Sequence, residues 1–302
     1  MSLFNAYMGL LGTIDADVRK DELLAHRTTY RIGGPAALAV TAHTYRALVR
    51  TIEVLGEEKV PWVVLGKGSN VLASDAGYEG CVISLGREFC RITVGEDGLV
   101  AAGAGVALPK LVNEALRASL SGLEFCIGIP GTVGGAVVMD AGTRREWIGS
   151  LVRDVVTYRP GEGMVRYDGS DIEWGYRETS IPAGEVILEA TFALTPGERK
   201  AIGDAMDARL HLRQRNQPTG MPSCGSVFKN PGDVSVARLI ERCGLKGYAV
   251  GGAEVSNVHA NFVVNNGHAT AADVVSVISH VHDVVSEQCG YDLATEVKFL
   301  GF

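Results

Sequence analysis

The chain reads Gly128-Ile-Pro-Gly-Thr-Val-Gly-Gly-Ala136 at a point where four glycines and one proline interrupt otherwise apolar sequence. This spacing matches neither a helix nor a strand, so it predicts a shaped loop. Because glycine lacks a Cβ atom, a ligand can approach the backbone at Gly131, Gly134 and Gly135, where N–H groups favour anionic oxygens. A tight hairpin or a β-bulge would explain one such run equally well.

A second glycine-rich run follows an apolar stretch typical of a strand, in Val63-Val-Leu-Gly-Lys-Gly-Ser-Asn-Val-Leu72. Its Gly66, Lys67 and Gly68 also suit phosphate oxygens. Neither run reads Gly-x-Gly-x-x-Gly or ends in the Gly-Lys-Ser/Thr of a P-loop, which disfavours a Rossmann fold and a nucleoside triphosphatase. Two separate glycine loops indicate instead an extended cofactor that contains a diphosphate.

Length, composition and charge limit the class of protein. A chain of 302 residues with 46% hydrophobic residues can bury a large core, and its length indicates two or three lobes. The net charge of −7 opposes nonspecific binding to nucleic acid or to an anionic membrane. An anionic ligand must therefore be held by local cations, for which Lys67, Arg177 and Lys229 are candidates.

The cysteines and histidines indicate neither a disulfide framework nor a metal site. The six cysteines are scattered without a Cys-x-x-Cys pair, so we expect reduced thiols that mostly fill the core: Cys81, Cys90, Cys126, Cys224, Cys243 and Cys289. His280 and His282 invite a metal interpretation. Residues two apart on a helix do not face each other, however, so we expect no metal.

The N-terminal stretch 1–14 is apolar enough to raise the question of a signal peptide. It lacks a basic region and a small-residue cleavage site, and Asp15 and Asp17 follow it. No apolar stretch reaches transmembrane length. We therefore expect a soluble, cytoplasmic protein without membrane contacts.

The order of elements predicts an α+β fold rather than a doubly wound sheet. Helices are expected over 44–55, from 109, from 198 to about 213, from a cap at Asp233 to Gly244, and from a capping box at 270–273 to Gly290. Strands are expected over 62–65, 82–85, 92–94, 99–102, 155–158, 186–194, 261–264 and 296–299.

Seven motifs follow one another along about residues 21–302. They are Thr28-Thr-Tyr-Arg-Ile-Gly-Gly34, Leu65-Gly-Lys-Gly-Ser-Asn-Val-Leu72 with Asp75 and Gly77, Gly128–Ala136, Tyr176-Arg177, Gly225-Ser-Val-Phe-Lys-Asn-Pro231, His259-Ala-Asn-Phe262 and Glu296-Val297. In this order the motifs resemble the UDP-N-acetylenolpyruvoylglucosamine reductase family.

The resemblance implies a two-lobed FAD-binding domain of the MurB and vanillyl-alcohol-oxidase type, followed by a smaller α+β substrate domain. We accordingly expect an N-terminal segment at 1–20, FAD-binding lobes at 21–85 and 86–196, and a substrate-binding domain at 197–302. The short sequence after Tyr176-Arg177 resembles the shorter class of the family, which lacks an extra substrate-capping loop.

The activity implied by the resemblance is reduction of an enolpyruvyl ether. NADPH reduces noncovalently bound FAD, and UDP-N-acetylglucosamine enolpyruvate then becomes UDP-N-acetylmuramate for peptidoglycan. The expected partners are this sugar nucleotide and NADPH, with no nucleic acid, and the protein is expected to be a monomer.

The resemblance also implies roles for individual residues. Ser226 matches the proton donor, Arg177 the residue that stabilises the intermediate, and Glu296 the third catalytic residue. Cofactor-binding positions are Arg31, Gly66, Lys67, Gly68, Ser69, Asn70, Ile129, Pro130, Gly131, Thr132, Gly134, Gly135 and Ala136. Substrate-binding positions are Tyr176, Lys229, Asn230 and His259.

Two positions depart from the family pattern and leave other interpretations open. Asp140 stands where asparagine is more usual, and Asn216 where lysine is more usual. A carboxylate beside a diphosphate is repulsive, so Asp140 should point away or pair with a cation such as Arg144. Another FAD-dependent oxidase of the same superfamily, or a noncatalytic flavin- or nucleotide-sugar-binding paralogue, remain alternatives.

Overall fold

A computed structural model describes residues 2–12 and 15–302. Met1, Thr13 and Ile14, which belong to the predicted N-terminal segment, lie outside the described residues. The chain divides into two compact units. Unit 1 comprises the described residues of 1–20 together with 38–66 and 80–211, and unit 2 comprises 21–37, 67–79 and 212–302.

The described residues form seven α-helices and eighteen strands. The helices are α1 (Ser2–Leu10), α2 (Tyr45–Glu57), α3 (Leu108–Arg117), α4 (Val133–Val138), α5 (Arg199–Asn216), α6 (Val236–Arg242) and α7 (Ala271–Cys289). The strands are β1 (Ala16–Leu23), β2 (Pro35–Ala42), β3 (Trp62–Val64), β4 (Val71–Ala73), β5 (Tyr78–Leu85), β6 (Ile92–Val94), β7 (Leu99–Gly103), β8 (Leu120–Ser121), β9 (Val152–Arg159), β10 (Gly163–Asp168), β11 (Trp174–Gly175), β12 (Glu178–Thr179), β13 (Val186–Ala193), β14 (Thr195–Pro196), β15 (Ala249–Val250), β16 (Ala253–Val255), β17 (Val263–Asn265) and β18 (Lys298–Leu300).

Two sheets lie entirely or mostly within unit 1. The larger is antiparallel with strand order β10-β9-β13-β7-β6, and α3 and α4 pack in the core beside it. The smaller has order β1-β2-β5-β3, with β3 parallel to β5, and packs with α1 and α2. The buried positions Leu48, Ile52 and Leu55 recur at helical spacing along α2, which is why that helix has one apolar face.

Unit 2 packs α6 and α7 with the antiparallel sheet β15-β16-β17. Strand β18 pairs in parallel with β4, which joins the C-terminus to the stretch after the second glycine run. Tyr30 is fully buried in this core, and its hydroxyl donates to the Val263 carbonyl at 2.8 Å. The motif around Tyr30 is therefore folded into unit 2.

The predicted α+β class is confirmed, and several predicted helix ends are confirmed as well. Thr44 caps α2 by accepting a hydrogen bond from the Ala47 N–H. Thr270 and Asp273 form the expected capping box of α7, which ends at Gly290 in the left-handed conformation. The predicted division of the chain at 20, 85 and 196 stays a prediction.

Other predicted details of the C-terminal third are wrong. The first turn of α6 is not capped by Asp233, because the Val236 N–H donates to the side-chain oxygen of Asn230 at 2.9 Å. Strand β17 begins at Val263 rather than at 261, and β18 begins at Lys298 rather than at 296. In both cases the preceding residues bond to the loop that contains Ser226 instead of to a regular strand.

Among the described helices, none combines the length and the apolar character needed to cross a bilayer.

Candidate functional site

The two glycine runs approach each other within unit 1. A Cβ atom added at Gly66 would lie 2.5 Å from the Thr132 hydroxyl, so only glycine allows this approach. Thr132 also begins α4, where its hydroxyl accepts the Gly135 N–H at 3.3 Å. Gly66, Pro130 and Gly135 are exposed. Gly66, Pro130 and Gly135 therefore contribute to solvent-accessible surface of unit 1 with little side-chain bulk.

The sequence predicts that a ligand approaches the backbone at Gly134, but the structure gives this glycine a packing role. Its N–H donates to the Ala104 carbonyl at 2.9 Å, and an added Cβ would lie 2.9 Å from the Ala104 Cβ. The space at Gly134 is thus taken by the protein, and packing against Ala104 explains the glycine. At Gly135 an added Cβ meets only the Thr132 hydroxyl, at 3.5 Å, which leaves room for a ligand.

The remainder of the second run, Lys67 to Asn70, belongs to unit 2 and is fixed there by its backbone. The Thr29 N–H donates to the Gly68 carbonyl at 3.3 Å, and the Lys298 N–H donates to the Asn70 carbonyl at 3.0 Å. A Cβ at Gly68 would lie 2.5 Å from the Arg27 carbonyl oxygen. Lys67 itself is exposed, so its ammonium group is available to an anionic ligand.

Ser226 lies on a loop that is held from two sides within unit 2. On one side the Val227 N–H donates to the Asn261 carbonyl at 2.9 Å. On the other side the Lys229 N–H donates to the Ala294 carbonyl at 2.8 Å, and the Glu296 N–H donates to the Val227 carbonyl at 2.7 Å. The half-buried Ser226 hydroxyl has no hydrogen-bond partner among residues 2–12 and 15–302, and a hydroxyl in that state can donate to a ligand.

Glu296 is brought to the same place by these backbone contacts. It is buried, and its carbonyl accepts the side-chain amide of Asn70 at 3.1 Å. Burial, with a smaller contribution from the charge of Glu296, raises the pKa of the neighbouring Cys224 thiol to about 12. Cys224 therefore stays protonated. Unit 2 thus places Ser226, Glu296 and the Asn70 end of the glycine run together.

Asn261 organises this arrangement, although the sequence, which places it in the motif His259-Ala-Asn-Phe262, assigns it no role of its own. It is buried, its side-chain oxygen accepts the Phe228 N–H at 3.0 Å, and its side-chain N–H donates to the Phe228 carbonyl at 2.8 Å. The available signal is a polar residue at the start of the apolar stretch 261–264. Periodicity alone assigns that stretch to a strand.

Replacing Asn261 with alanine is expected to lower the free energy of unfolding by roughly 2–4 kcal/mol, because two buried backbone groups of Phe228 lose their partners. Urea denaturation followed by circular dichroism measures the change. Asn266→Ala is the matched control, because that exposed side chain donates to Glu254 and its loss should cost less than about 0.5 kcal/mol. Equal losses in the two variants would contradict the assigned role of Asn261.

Arg177 lies in unit 1, at the tip of a hairpin. Tyr176 and Arg177 form its two-residue turn, since Gly175 pairs with Glu178. Arg177 has a φ of +67°, a left-handed conformation that costs a non-glycine residue on the order of 1–2 kcal/mol. Its guanidinium donates to the Gly142 carbonyl at 3.2 Å and lies 5.2 Å from the centre of the Tyr176 ring. Strained conformations of this kind are concentrated at functional sites.

Asp140 points at the protein backbone. It is buried, and its carboxylate accepts the Gly149 N–H at 2.9 Å. Burial raises the pKa of Asp140, while the Gly149 hydrogen bond and the charge of Arg177 lower it, and burial dominates. The cation that acts on this carboxylate is therefore Arg177, where the sequence suggested Arg144.

Replacing Asp140 with asparagine is expected to raise the free energy of unfolding at neutral pH. Asparagine can still accept the Gly149 hydrogen bond, but it never ionises. A folded-state pKa above the unfolded value of about 3.9 means that stability is highest below that value and falls as pH rises through the folded pKa.

Denaturation of both proteins at about pH 7 and about pH 4 checks this sign. The advantage of Asp140→Asn should shrink as pH falls. Asp171→Asn, at an exposed position of unit 1, should change little at either pH. A variant less stable than the original at neutral pH would refute the assignment.

The remaining predicted substrate residues have structural contacts of their own. The Asn230 side-chain oxygen caps α6, and the His259 Nδ1 accepts the Asn261 N–H at 3.2 Å. Burial lowers the pKa of His259, which favours the neutral imidazole. Lys229 is half-buried in unit 2, whereas Tyr176 is exposed in unit 1.

His280 and His282 have separate partners in the structure. The His282 ring bonds to Asp292 at 2.8 Å and to Asp283 at 3.1 Å, one carboxylate on each ring nitrogen. These two bonds raise its pKa, as expected for a surface ion pair. His280 instead stacks on Tyr248, with ring centres 4.0 Å apart. Across residues 2–12 and 15–302, no group of three potential ligands could hold a metal ion.

Comparisons with known proteins identify two domains along the chain. A family model described as FAD binding domain matches residues 36–159. A model described as UDP-N-acetylenolpyruvoylglucosamine reductase, C-terminal domain, matches residues 217–300. The expected FAD-binding domain, its cofactor FAD and the separate C-terminal domain are thereby confirmed. The exposed glycine surface of Gly66, Pro130 and Gly135 fits a group with anionic diphosphate oxygens such as FAD.

Individual relatives match over almost their entire length. Proteins named UDP-N-acetylenolpyruvoylglucosamine reductase from Halalkalibacterium halodurans and Heliobacterium modesticaldum are 39% and 41% identical, over 94% and 93% of this chain and 95% and 90% of theirs. The crystal structure of UDP-N-acetylenolpyruvylglucosamine reductase from Thermus caldophilus has a TM-score of 0.84 and 37% identity, and the match covers 94% of this chain and 99% of that one. The chain therefore belongs to the UDP-N-acetylenolpyruvoylglucosamine reductase family.

Proposed function

We propose that this protein reduces UDP-N-acetylglucosamine enolpyruvate to UDP-N-acetylmuramate, with NADPH as hydride donor and noncovalent FAD as cofactor. The main structural support is the arrangement in unit 2, where the 2.7 Å bond from the Glu296 N–H to the Val227 carbonyl fixes Glu296 beside the Ser226 loop. A half-buried hydroxyl and a buried carboxylate at one place suit proton transfer to a substrate carbon.

FAD supplies the chemistry of accepting a hydride from NADPH and passing it to the vinyl carbon of the substrate. Negative charge then develops on the substrate carbon that bears the carboxylate. Ser226 is our candidate for the proton donor, because its hydroxyl has no protein partner among the described residues. Such a hydroxyl is a weak acid, but a strongly basic carbon needs only a well-placed weak donor.

Arg177 and Glu296 are proposed to support this step. The guanidinium group of Arg177, oriented by the Gly142 carbonyl, stabilises the enolate-like charge of the intermediate. Glu296 is the third catalytic residue, in the buried environment that Asn70 and Val227 provide. Tyr176, Lys229, Asn230 and His259 are proposed to bind the sugar nucleotide through aromatic, cationic and amide groups.

FAD is proposed to contact both glycine runs and the Thr28–Gly34 motif. The positions are Arg31, Gly66, Lys67, Gly68, Ser69, Asn70, Ile129, Pro130, Gly131, Thr132, Gly135 and Ala136. Gly134 is left out of this set because it packs against Ala104 and its N–H bonds to the Ala104 carbonyl. Arg31 has a φ of +57°, another left-handed non-glycine residue within a family motif, which supports a functional reason for its conformation.

The reaction places the protein in peptidoglycan precursor synthesis, and hence in cell-wall biogenesis, cell shape and cell division. We propose that it acts in the cytoplasm as a monomer. The net charge of −7 supports the absence of nucleic-acid partners.

Half-reactions of the purified yellow holoenzyme test the proposal. NADPH without oxygen should bleach the flavin absorbance, and the enolpyruvyl sugar nucleotide alone should restore it. Bleaching of the flavin by an alcohol or hydroxy acid, followed by recolouring with oxygen, would indicate another oxidase of the superfamily. Absence of bleaching would indicate a noncatalytic paralogue. Either outcome overturns the proposal.

Acid precipitation of the holoenzyme is expected to release all of the FAD into the supernatant. Neither glycine run contains a histidine or a cysteine that could form a covalent link. Absorbance of the supernatant and of the dissolved pellet measures the distribution. Flavin absorbance that stays with the pellet would show a covalent link.

A further inference from the structure

Two thiols lie in contact in unit 2, outside the residues proposed for catalysis. The Sγ atoms of Cys243 and Cys289 are 3.6 Å apart, although 46 positions separate them in the chain. Cys243 follows the last residue of α6 as its cap, and Cys289 is the last residue of α7. Both are partly buried at the edge of the core of unit 2.

The surrounding backbone allows the sulfur atoms to come closer. A disulfide needs an S–S distance of about 2.05 Å, so the two atoms must approach by roughly 1.5 Å. Both cysteines lie at helix ends, where the chain turns immediately afterwards through Gly244 and Gly290 with φ of +69° and +73°. Side-chain rotation at two helix ends can supply this movement without shifting the packed faces of α6 and α7.

We propose that Cys243 and Cys289 are an oxidisable dithiol site, whose co-reactant is a low-molecular-weight disulfide and whose product is an intramolecular disulfide. The thiolate of one cysteine attacks the small disulfide, forms a mixed disulfide and releases one small thiol. The second protein thiolate then attacks the protein sulfur of that mixed disulfide and releases the second small thiol. Two protein sulfurs are oxidised, the small disulfide is reduced to two small thiols, and these two thiols carry the two protons that the protein thiols lose.

The local charges set the conditions for the reaction. Burial and the neighbouring Cys289 raise the pKa of Cys243, while Arg242 beside it lowers that pKa. Only the thiolate reacts, so the reaction is best followed at mildly alkaline pH, about 8.5. The other described thiols provide internal comparisons, since Cys81, Cys126 and Cys224 are buried.

Treating the holoenzyme with glutathione disulfide and measuring its intact mass tests this site. The expected result is a loss of about 2 Da, the mass of two hydrogen atoms, without a glutathione adduct. After quenching in acid, alkylation and trypsin digestion, peptide 243–246 should be joined to peptide 247–298, because no lysine or arginine lies between 247 and 297. Reduction should separate the two peptides.

The variants Cys289→Ser and Cys243→Ser complete the design. Each should stop at the mixed-disulfide stage and gain one glutathione on the remaining cysteine. Cys90→Ser, at a partly buried thiol of unit 1, should behave like the original protein. Stable glutathione adducts on the original protein, or no reaction of either cysteine while the protein remains folded, would overturn the proposal. Neither outcome depends on the proposed catalytic function.

Discussion

Ser226→Ala is expected to slow the return of oxidised flavin absorbance by roughly 10²–10⁴-fold when the substrate is added to reduced enzyme. The rate of bleaching by NADPH should stay nearly unchanged, because that half-reaction needs no proton on a substrate carbon. Loss of the donor hydroxyl removes an interaction that matters only in the transition state. Single-turnover stopped-flow absorbance measures both half-reactions separately.

A matched serine distinguishes the chemistry from a general defect. Ser276 is exposed on α7 in the same unit, and its hydroxyl bonds to the Ala272 carbonyl, so Ser276→Ala should leave both half-reactions unchanged. Equal slowing of both half-reactions in Ser226→Ala would point to lost flavin or a disturbed fold. Reoxidation of Ser226→Ala at the original rate would show that Ser226 is not the proton donor.

Arg177→Ala is expected to lose about 3 kcal/mol or more of transition-state stabilisation, roughly a 100-fold or larger drop in the reoxidation rate at saturating substrate. The positive charge has its largest effect when negative charge develops on the substrate. Arg177→Lys should remain well below the original rate, because lysine lacks the planar fork that can hold two carboxylate oxygens together. The substitution also removes the guanidinium hydrogen bond to the Gly142 carbonyl, which orients the side chain of Arg177.

Substrate titration of the single-turnover rate separates binding from catalysis. Arg166→Ala serves as a control within unit 1, since Arg166 pairs with Asp154 on the exposed surface of β10. If Arg177→Ala raises only the substrate concentration required and leaves the saturated rate unchanged, Arg177 is a ground-state binding residue. Our assignment would then be wrong.

Local sequence signals predicted much of the secondary structure. Thr270 with Asp273, and Gly290 after Cys289, mark both ends of α7 because capping depends on residues close in sequence. Asp233 failed as a cap because Asn230, six residues before Val236, reaches the same N–H through a folded loop. Sequence proximity does not reveal that competition.

The candidate site, too, could be recognised from the sequence only in part. The motifs around Ser226 and Glu296 could be recognised from their residues, and their order along the chain indicated the family. The clamp by Asn261, which bonds both backbone groups of Phe228 across 33 positions, could not be recognised in this way. Periodicity assigned Asn261 to a strand because its neighbours are apolar.

The sequence by itself determined the α+β class, the family and the residues available for chemistry, because these depend on residue type, short spacing and motif order. Only the tertiary structure decided what each residue touches: that Gly134 makes room for Ala104, that Asp140 bonds to Gly149, and that Cys243 meets Cys289. The physical reason is that such contacts depend on how distant segments pack, and packing joins positions whose separation in sequence leaves no periodic signal.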